Sequence, residues 1–220
     1  MNNMSKIIKW GILGSGSFRI IIIMDLEAII ANVRSFAYEN SKKEDIHGFK
    51  HTKRVLKQSL EIGTSLNANL TVIKIATLLH DIGRNIKNGE IVENHAEISA
   101  KIAEKFIHKN NFNITKNDIK NILHSIRSHS FSNDKIPKTL EAKILSDADK
   151  LDAIGAIGLY RTIGFTIQNQ GGIDKVIQHL ENKIMKLKDL LYLDISKKIA
   201  EEKQQIIKDF YEKVKDEIHR

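Results

Sequence analysis

The sequence predicts an all-α protein, and three observations carry that expectation. A single proline and 12 glycines in 220 residues leave few helix breakers, so long helices cost little. Apolar side chains recur at three- and four-residue spacing from residue 25 onward, the period of a helix buried on one face. Short polar stretches interrupt that pattern often enough to give roughly eight helices, which a chain of this length can pack around one core.

Taken in order, Asp25 is suited to cap a first helix whose stripe is Leu26, Ile29, Ile30, Val33 and Phe36. The polar stretch from Asn40 to Asp45 ends it. His51, Val55 and Ile62 then share one face of a second helix, expected to stop near Gly63. The run from Thr71 to Gly83 is apolar nearly all round and predicts a central helix. A polar loop from Asn85 to Glu93 follows it. His95, Ile98, Ser99, Ile102 and Phe106 form the stripe of a fourth helix. Thr115 is a natural N-cap for a fifth, with Ile119, Ile122, Ile126 and His129 in line. Pro137 interrupts, and a sixth helix is expected from about Thr139 to Ala153. Five glycines between Gly155 and Gly172 punctuate the next stretch. From Ile173 the chain reads as a long amphipathic pair, first Val176 to Leu191, then Ile199 to Ile218.

Composition narrows the chemistry. Zero cysteines exclude disulfides, thiolate metal sites and cysteine nucleophiles, so any metal must sit on nitrogen and oxygen ligands. The formal charge of +8 is unevenly spread. Residues 1–60 hold 10 Lys/Arg against 5 Asp/Glu and residues 101–143 hold 9 against 4, whereas 61–100 sum to −2 and 144–196 to −1. Without a basic run or many aromatics, that pattern reads as a solvated lysine-rich surface more readily than as a nucleic-acid face. A soluble, cytoplasmic protein is the default expectation.

Residues 1–23 form a leader set apart from the helical domain over 24–220. Its segment from Lys6 to Arg19 resembles an opening strand and glycine turn, but Gly14 and Gly16 supply only GxG. A new helix follows at once, where a dinucleotide-binding βαβ unit would continue. Arg19 splits the apolar stretch, which disfavours a signal peptide, and the segment is too short to span a bilayer. The sequence leaves the status of this leader open.

Burial makes the histidines informative. His80 and Asp81 stand at the end of the most apolar helix, where an unpaired carboxylate is costly and an arginine or divalent metal is needed to compensate it. His51 lies on another buried stripe, and Asp149 belongs to the carboxylate-rich run from Ser146 to Asp152. Two imidazoles and two carboxylates from separate helices would make an N/O site with positions open to water and substrate. Taken singly, each histidine reads more simply as a core imidazole bonded to backbone.

In combination, His51-x-x-Arg54-Val55, His80-Asp81-Ile82-Gly83-Arg84 and Ala148-Asp149-Lys150-Leu151 resemble the HD phosphohydrolase family. The resemblance spans about residues 25–165. The tail, with Lys183-Ile-Met-Lys-Leu-Lys-Asp and Ala200-Glu-Glu-Lys, is similar to a bacterial and archaeal subgroup of small HD hydrolases. It implies a single HD-type helical domain with a long helical C-terminal tail. It also implies a divalent metal on His51, His80, Asp81 and Asp149, with His80 and Asp81 at the reacting centre. The family's Ala-Asp-x-Leu context selects Asp149 over Asp147, which helical phase does not separate. Asp147 and Asp152 are then expected to orient ligands or basic side chains.

His95 and His129 lie on apolar stripes and match, loosely, histidines that hold a second metal in some relatives. The reading preferred here is one metal, with these two binding phosphate or donating protons. Arg54, Arg84, Lys150 and Arg161 are expected either to hold substrate phosphates or to pair with Asp147, Asp152 or Glu97. Such a site suits Mn, Ni, Co, Mg, Fe or Zn.

The implied reaction is cleavage of a nucleotide phosphate ester or anhydride, above all nucleoside triphosphate to monophosphate and pyrophosphate. Phe131, Tyr160 and Phe165 are the aromatic candidates for contact with a base. The alternatives are a two-metal phosphodiesterase and a non-catalytic nucleotide-binding module, with oxygenase chemistry more distant. The amphipathic tail is also compatible with a homodimer.

Overall fold

The computed structural model describes residues 6–13, 17–85, 94–130 and 135–218, and their side chains from residue 25 onward except Asn85. Two strands open it, β1 (Lys6–Leu13) and β2 (Ser17–Met24), paired antiparallel from Lys6 opposite Met24 to Leu13 opposite Ser17. Three residues separate them, too few for a crossover helix, so the arrangement is a hairpin and not a βαβ unit. The glycine turn at Gly14 and Gly16 lies outside the described residues.

Everything described after the hairpin is helix or connection, and the domain is all-α. The helices are α1 (Leu26–Asn40), α2 (Phe49–Ser65), α3 (Leu70–Leu79), α4 (His95–Asn110), α5 (Lys116–Ser128), α6 (Leu140–Asp152), α7 (Ala156–Gln168), α8 (Ile173–Asn182) and α9 (Asp194–Ile218). Short 3-10 segments follow α3 (Ile82–Asn85) and α8 (Ile184–Leu190). The expected capping residues do their work: Asp25 accepts from the Ala28 N–H at 2.7 Å, Thr115 from Asp118 and Thr139 from Ala142.

Two boundaries differ from the expectation. α2 continues past Gly63 to Ser65, because Gly63 is packed against Ile73 of α3 and terminates nothing. α3 stops at Leu79, short of Gly83, and the chain tightens into the 3-10 segment that follows. A Cβ on Gly83 would stand 2.7 Å from the His95 carbonyl and the Ser99 amide, so only glycine lets the start of α4 lie this close. The amphipathic pair after Ile173 resolves into α8, a 3-10 segment and α9.

Two apolar clusters build the core. One lies among α1 to α6 and includes Val33, Val55, Ile75, Leu79, Ala103, Ile126 and Leu145. The other joins the opposite faces of α2, α3 and α6 to α8, the second 3-10 segment and α9, through Ile62, Ile73, Leu151, Leu180, Leu187 and Ile207. Helices α2, α3 and α6 are therefore the shared wall, and their ends converge where polar residues are buried.

Candidate metal centre and substrate cavity

Five helices bring one polar residue or more to that point. His51 comes from the first turn of α2, His80 is the C-cap of α3, Asp81 follows it, His95 begins α4, His129 is the C-cap of α5, and Asp149 comes from α6. All four histidines and Asp81 are buried; Asp149 is partly open.

Asp81 sits at the centre. Its Oδ2 lies 3.7 Å from Nε2 of both His51 and His80, and its Oδ1 lies 3.4 Å from Nε2 of both His95 and His129. Neither oxygen has a hydrogen-bond partner among the described residues. The Arg84 Nε stands 2.7 Å from Oδ2 but is not aligned to donate to it. A buried carboxylate left this way is expensive, and a cation between its oxygens and the imidazoles removes the cost.

The imidazoles are set for that role. His80 Nδ1 donates to the Thr77 carbonyl and His129 Nδ1 to the Ile126 carbonyl, both at 2.7 Å, which leaves each Nε2 with a lone pair facing inward. His51 Nδ1 bonds the Asp152 carboxylate at 2.7 Å. The Nε2 atoms of His51 and His80 are 3.4 Å apart and those of His95 and His129 are 3.3 Å apart. His51, His80 and Asp81 form one group able to hold a metal, and Asp81, His95 and His129 form a second. The Asp149 Oδ1 adjoins the first group, 3.2 Å from His51 Nε2 and 3.9 Å from His80 Nε2.

Charge favours a cation in the same place. Burial lowers the His80 pKa to about 4 and the His95 pKa to about 3, so both stay neutral donors at neutral pH. Burial also opposes a charge on His51, but Asp149 and Asp152 outweigh it and raise its pKa. Burial works against the Asp81 charge too, yet Arg84 and His80 hold that carboxyl well below its ordinary value. With imidazole and carboxylate donors and no cysteine, the set fits a divalent ion of the first transition row or magnesium.

The remaining carboxylates separate cleanly. Asp147 points away from the histidines and accepts from the backbone N–H groups of Tyr192 and Leu193, holding the chain as it enters α9. Asp152 accepts from His51, from Arg54 at 2.8 Å and from Arg161 at 2.6 Å. The structure thus brings Asp149 to the histidines, places Asp152 behind His51, and keeps Asp147 out of the site.

A cavity of about 780 Å³ opens on this centre. His51, His95, Asp149 and Arg84 line it beside the metal centre, and Phe165, His179, Lys183, Ile184 and Leu187 complete its wall. Arg161 and Lys150 also border it; Arg54 does not, being engaged by Asp152 and Asp45. Arg161 is spread over Asp152, the Ile46 carbonyl and His47. Tyr160 is exposed and does not line the cavity, and Phe131 lies outside the described residues.

Sequence reasoning missed His47, His179 and Lys183. His47 sits in an irregular turn that periodicity does not reach, with burial, then Arg161 and Arg84, lowering its pKa to about 3. His179 and Lys183 are four apart, a spacing legible in the sequence that would have put both on one helix side.

The fold that carries these residues has known relatives. The HD domain family model matches residues 48–154, a span that holds His51, His80, Asp81, His95, His129 and Asp149. The chain belongs to the HD family. Lin1889 of Listeria innocua is 30% identical, with a TM-score of 0.70 over 89% of this chain and 98% of its own. YpgQ of Bacillus subtilis is 28% identical over 200 residues, 87% of this chain and 93% of YpgQ. The crystal structure of YpgQ in complex with ADP aligns at 24% identity with a TM-score of 0.71, over 87% and 96% of the two chains. A predicted HD superfamily hydrolase from an uncultured Thermotogales bacterium is 26% identical, with a TM-score of 0.59 over 86% and 91%.

Proposed function

We propose that the chain is a metal-dependent phosphohydrolase that cleaves nucleoside triphosphates to monophosphate and pyrophosphate. The observation that carries this reading is the Asp81 carboxylate, buried without a hydrogen-bond partner among the described residues. It lies between two pairs of inward-facing Nε2 atoms, beside a large cavity that His51, His95 and Asp149 line. His51, His80, Asp81 and Asp149 would hold the metal. When bound, a divalent ion there lowers the pKa of water towards about 7 and neutralises charge on a phosphoryl oxygen.

The chain's own residues do the rest. Asp81, the expected proton acceptor, does not line the cavity, so Asp149, which does and is partly open, would share the task of accepting the proton of an attacking water. Asp152 orients His51 and is itself fixed by Arg54 and Arg161. Arg84, beside Asp81, and Arg161, anchored on Asp152, border the cavity and would add positive charge where phosphates lie. Phe165 and the apolar Ile184 and Leu187 offer an apolar stretch of the wall to the nucleoside. ADP in the YpgQ complex is a precedent for nucleotide binding on this fold.

A second reading has one specific observation behind it. Asp81 with His95 and His129 forms a second donor group, so the site also suits a two-metal phosphodiesterase. Incubation of the metal-loaded chain with a panel of nucleoside triphosphates and phosphodiesters, followed by phosphorus NMR and metal analysis, separates the two. The leading reading expects pyrophosphate release at one metal per chain. Turnover confined to phosphodiesters at two metals per chain selects the second.

A further inference from the structure

Behind the main cavity lies another, of about 370 Å³, bordered by Lys150, Ser146, Ser130, Lys135, Asp189 and Tyr192 among others. Lys150 and Ser130 border both cavities, so they form the partition between them. The Lys150 ammonium turns to the rear. Its hydrogen bonds go to Ser146 Oγ at 2.6 Å and the Ser146 carbonyl at 3.2 Å, and it stands 5.4 Å from the Tyr192 ring centre. Ser146 and Tyr192 line the second cavity and not the first.

Lys150 is only 6% exposed, yet no carboxylate among the described residues stands within ion-pair distance of it. Two of the three ammonium donors are used. Asp147 and Asp149 offset part of the desolvation from a distance, but a buried ammonium with a spare donor and no anion in direct contact still leaves room for one. Lys135 adds a second positive charge to the same cavity, although Glu97 already holds it at 2.6 Å. Asp189 is exposed at the rim and opposes an anion there.

We propose that the second cavity is a binding site for a phosphate-class oxyanion, held chiefly by Lys150, and that it receives the pyrophosphate released at the metal centre. The assignment of pyrophosphate rests on the reaction proposed above. The anion would pass the Lys150–Ser130 partition, leaving the main cavity to the nucleoside monophosphate. Departure of the two products by different routes follows from that division.

The test is calorimetric titration of inorganic pyrophosphate into the full-length, metal-loaded chain freed of excess ion. Lys135→Ala should weaken binding about fivefold and Asp189→Asn should tighten it about threefold, since both lie on the second cavity alone. Lys150→Met should weaken it at least about tenfold. Lys183→Ala, which borders the main cavity but not the second, should leave the affinity within about twofold. Equal affinities for wild type, Lys135→Ala and Asp189→Asn would overturn the proposal, because pyrophosphate held by the metal alone does not sense these residues. A larger loss in Lys183→Ala than in Lys135→Ala, or no binding at all, would overturn it as well. The readout is binding, so failure of nucleotide turnover and failure of this site are told apart.

Discussion

At the scale of single residues, the two aspartates two positions apart on α6 carry different work. Asp149 reaches the histidines and Asp147 secures the chain entering α9. Asp149→Ala should therefore remove metal from the purified chain while changing its melting temperature little in chelator. Asp147→Ala should keep the metal and lower stability by about 1–3 kcal/mol, from the buried N–H groups left without an acceptor. Metal analysis beside thermal melts reads both. Asp152→Asn leaves the side chain in place but removes the charge that three donors share. It should weaken metal affinity about 10- to 100-fold, measured by competition with a chromophoric chelator. Sequence alone found His80-Asp81 through burial, but helical phase placed Asp147 and Asp149 alike at stripe edges. What separates them is the backbone of Tyr192 and Leu193, some 45 residues further on, which no local pattern encodes.

At the scale of elements, the ends of α3, α5 and α6 are pinned by Glu141. It accepts from the Asn69 backbone N–H at 2.9 Å and the Asn121 side-chain amide at 2.8 Å, while Asn69 also donates to Asp118. Burial raises the Glu141 pKa, but these donors outweigh it and hold the carboxyl below its usual 4.5. Since the folded value is the lower one, the stabilisation is present at neutral pH. It fades as the pH falls below 4.5 through the folded value. Glu141→Gln should cost about 1 kcal/mol at pH 7, and its melting curve should converge on that of wild type in acid. The helices themselves were legible where a cap and a stripe agree, as at Asp25, Thr115 and Thr139. The end of α3 was not, because continued apolar residues look like continued helix. The close approach of α4 over Gly83 belongs to tertiary packing.

At the scale of the molecule, two apolar clusters share α2, α3 and α6, and the polar centre lies where the ends of those helices meet the ends of α4 and α5. The fold thus gathers inward-facing imidazoles around a buried carboxylate that lacks a hydrogen-bond partner among the described residues. Metal should stabilise the whole domain: at a free concentration one hundred times its Kd, about 2.7 kcal/mol, or a melting temperature raised by about 5–10 °C. Scanning calorimetry with and without chelator measures the shift. The amphipathic tail resolves into α8 and α9 closing the second cluster, and its 3-10 connection supplies Ile184 and Leu187 to the cavity wall. Among the described residues no helix is long and apolar enough to cross a membrane.

The central claim is that Asp81 and the histidines around it hold a metal for hydrolysis of a nucleoside triphosphate. The most direct measurement is product identification by phosphorus NMR on the metal-loaded chain, on the chelated chain and on Asp81→Ala. The account predicts pyrophosphate and nucleoside monophosphate from the first and no turnover from the other two. Orthophosphate as the initial product, or turnover that survives both the chelator and the substitution, would contradict it.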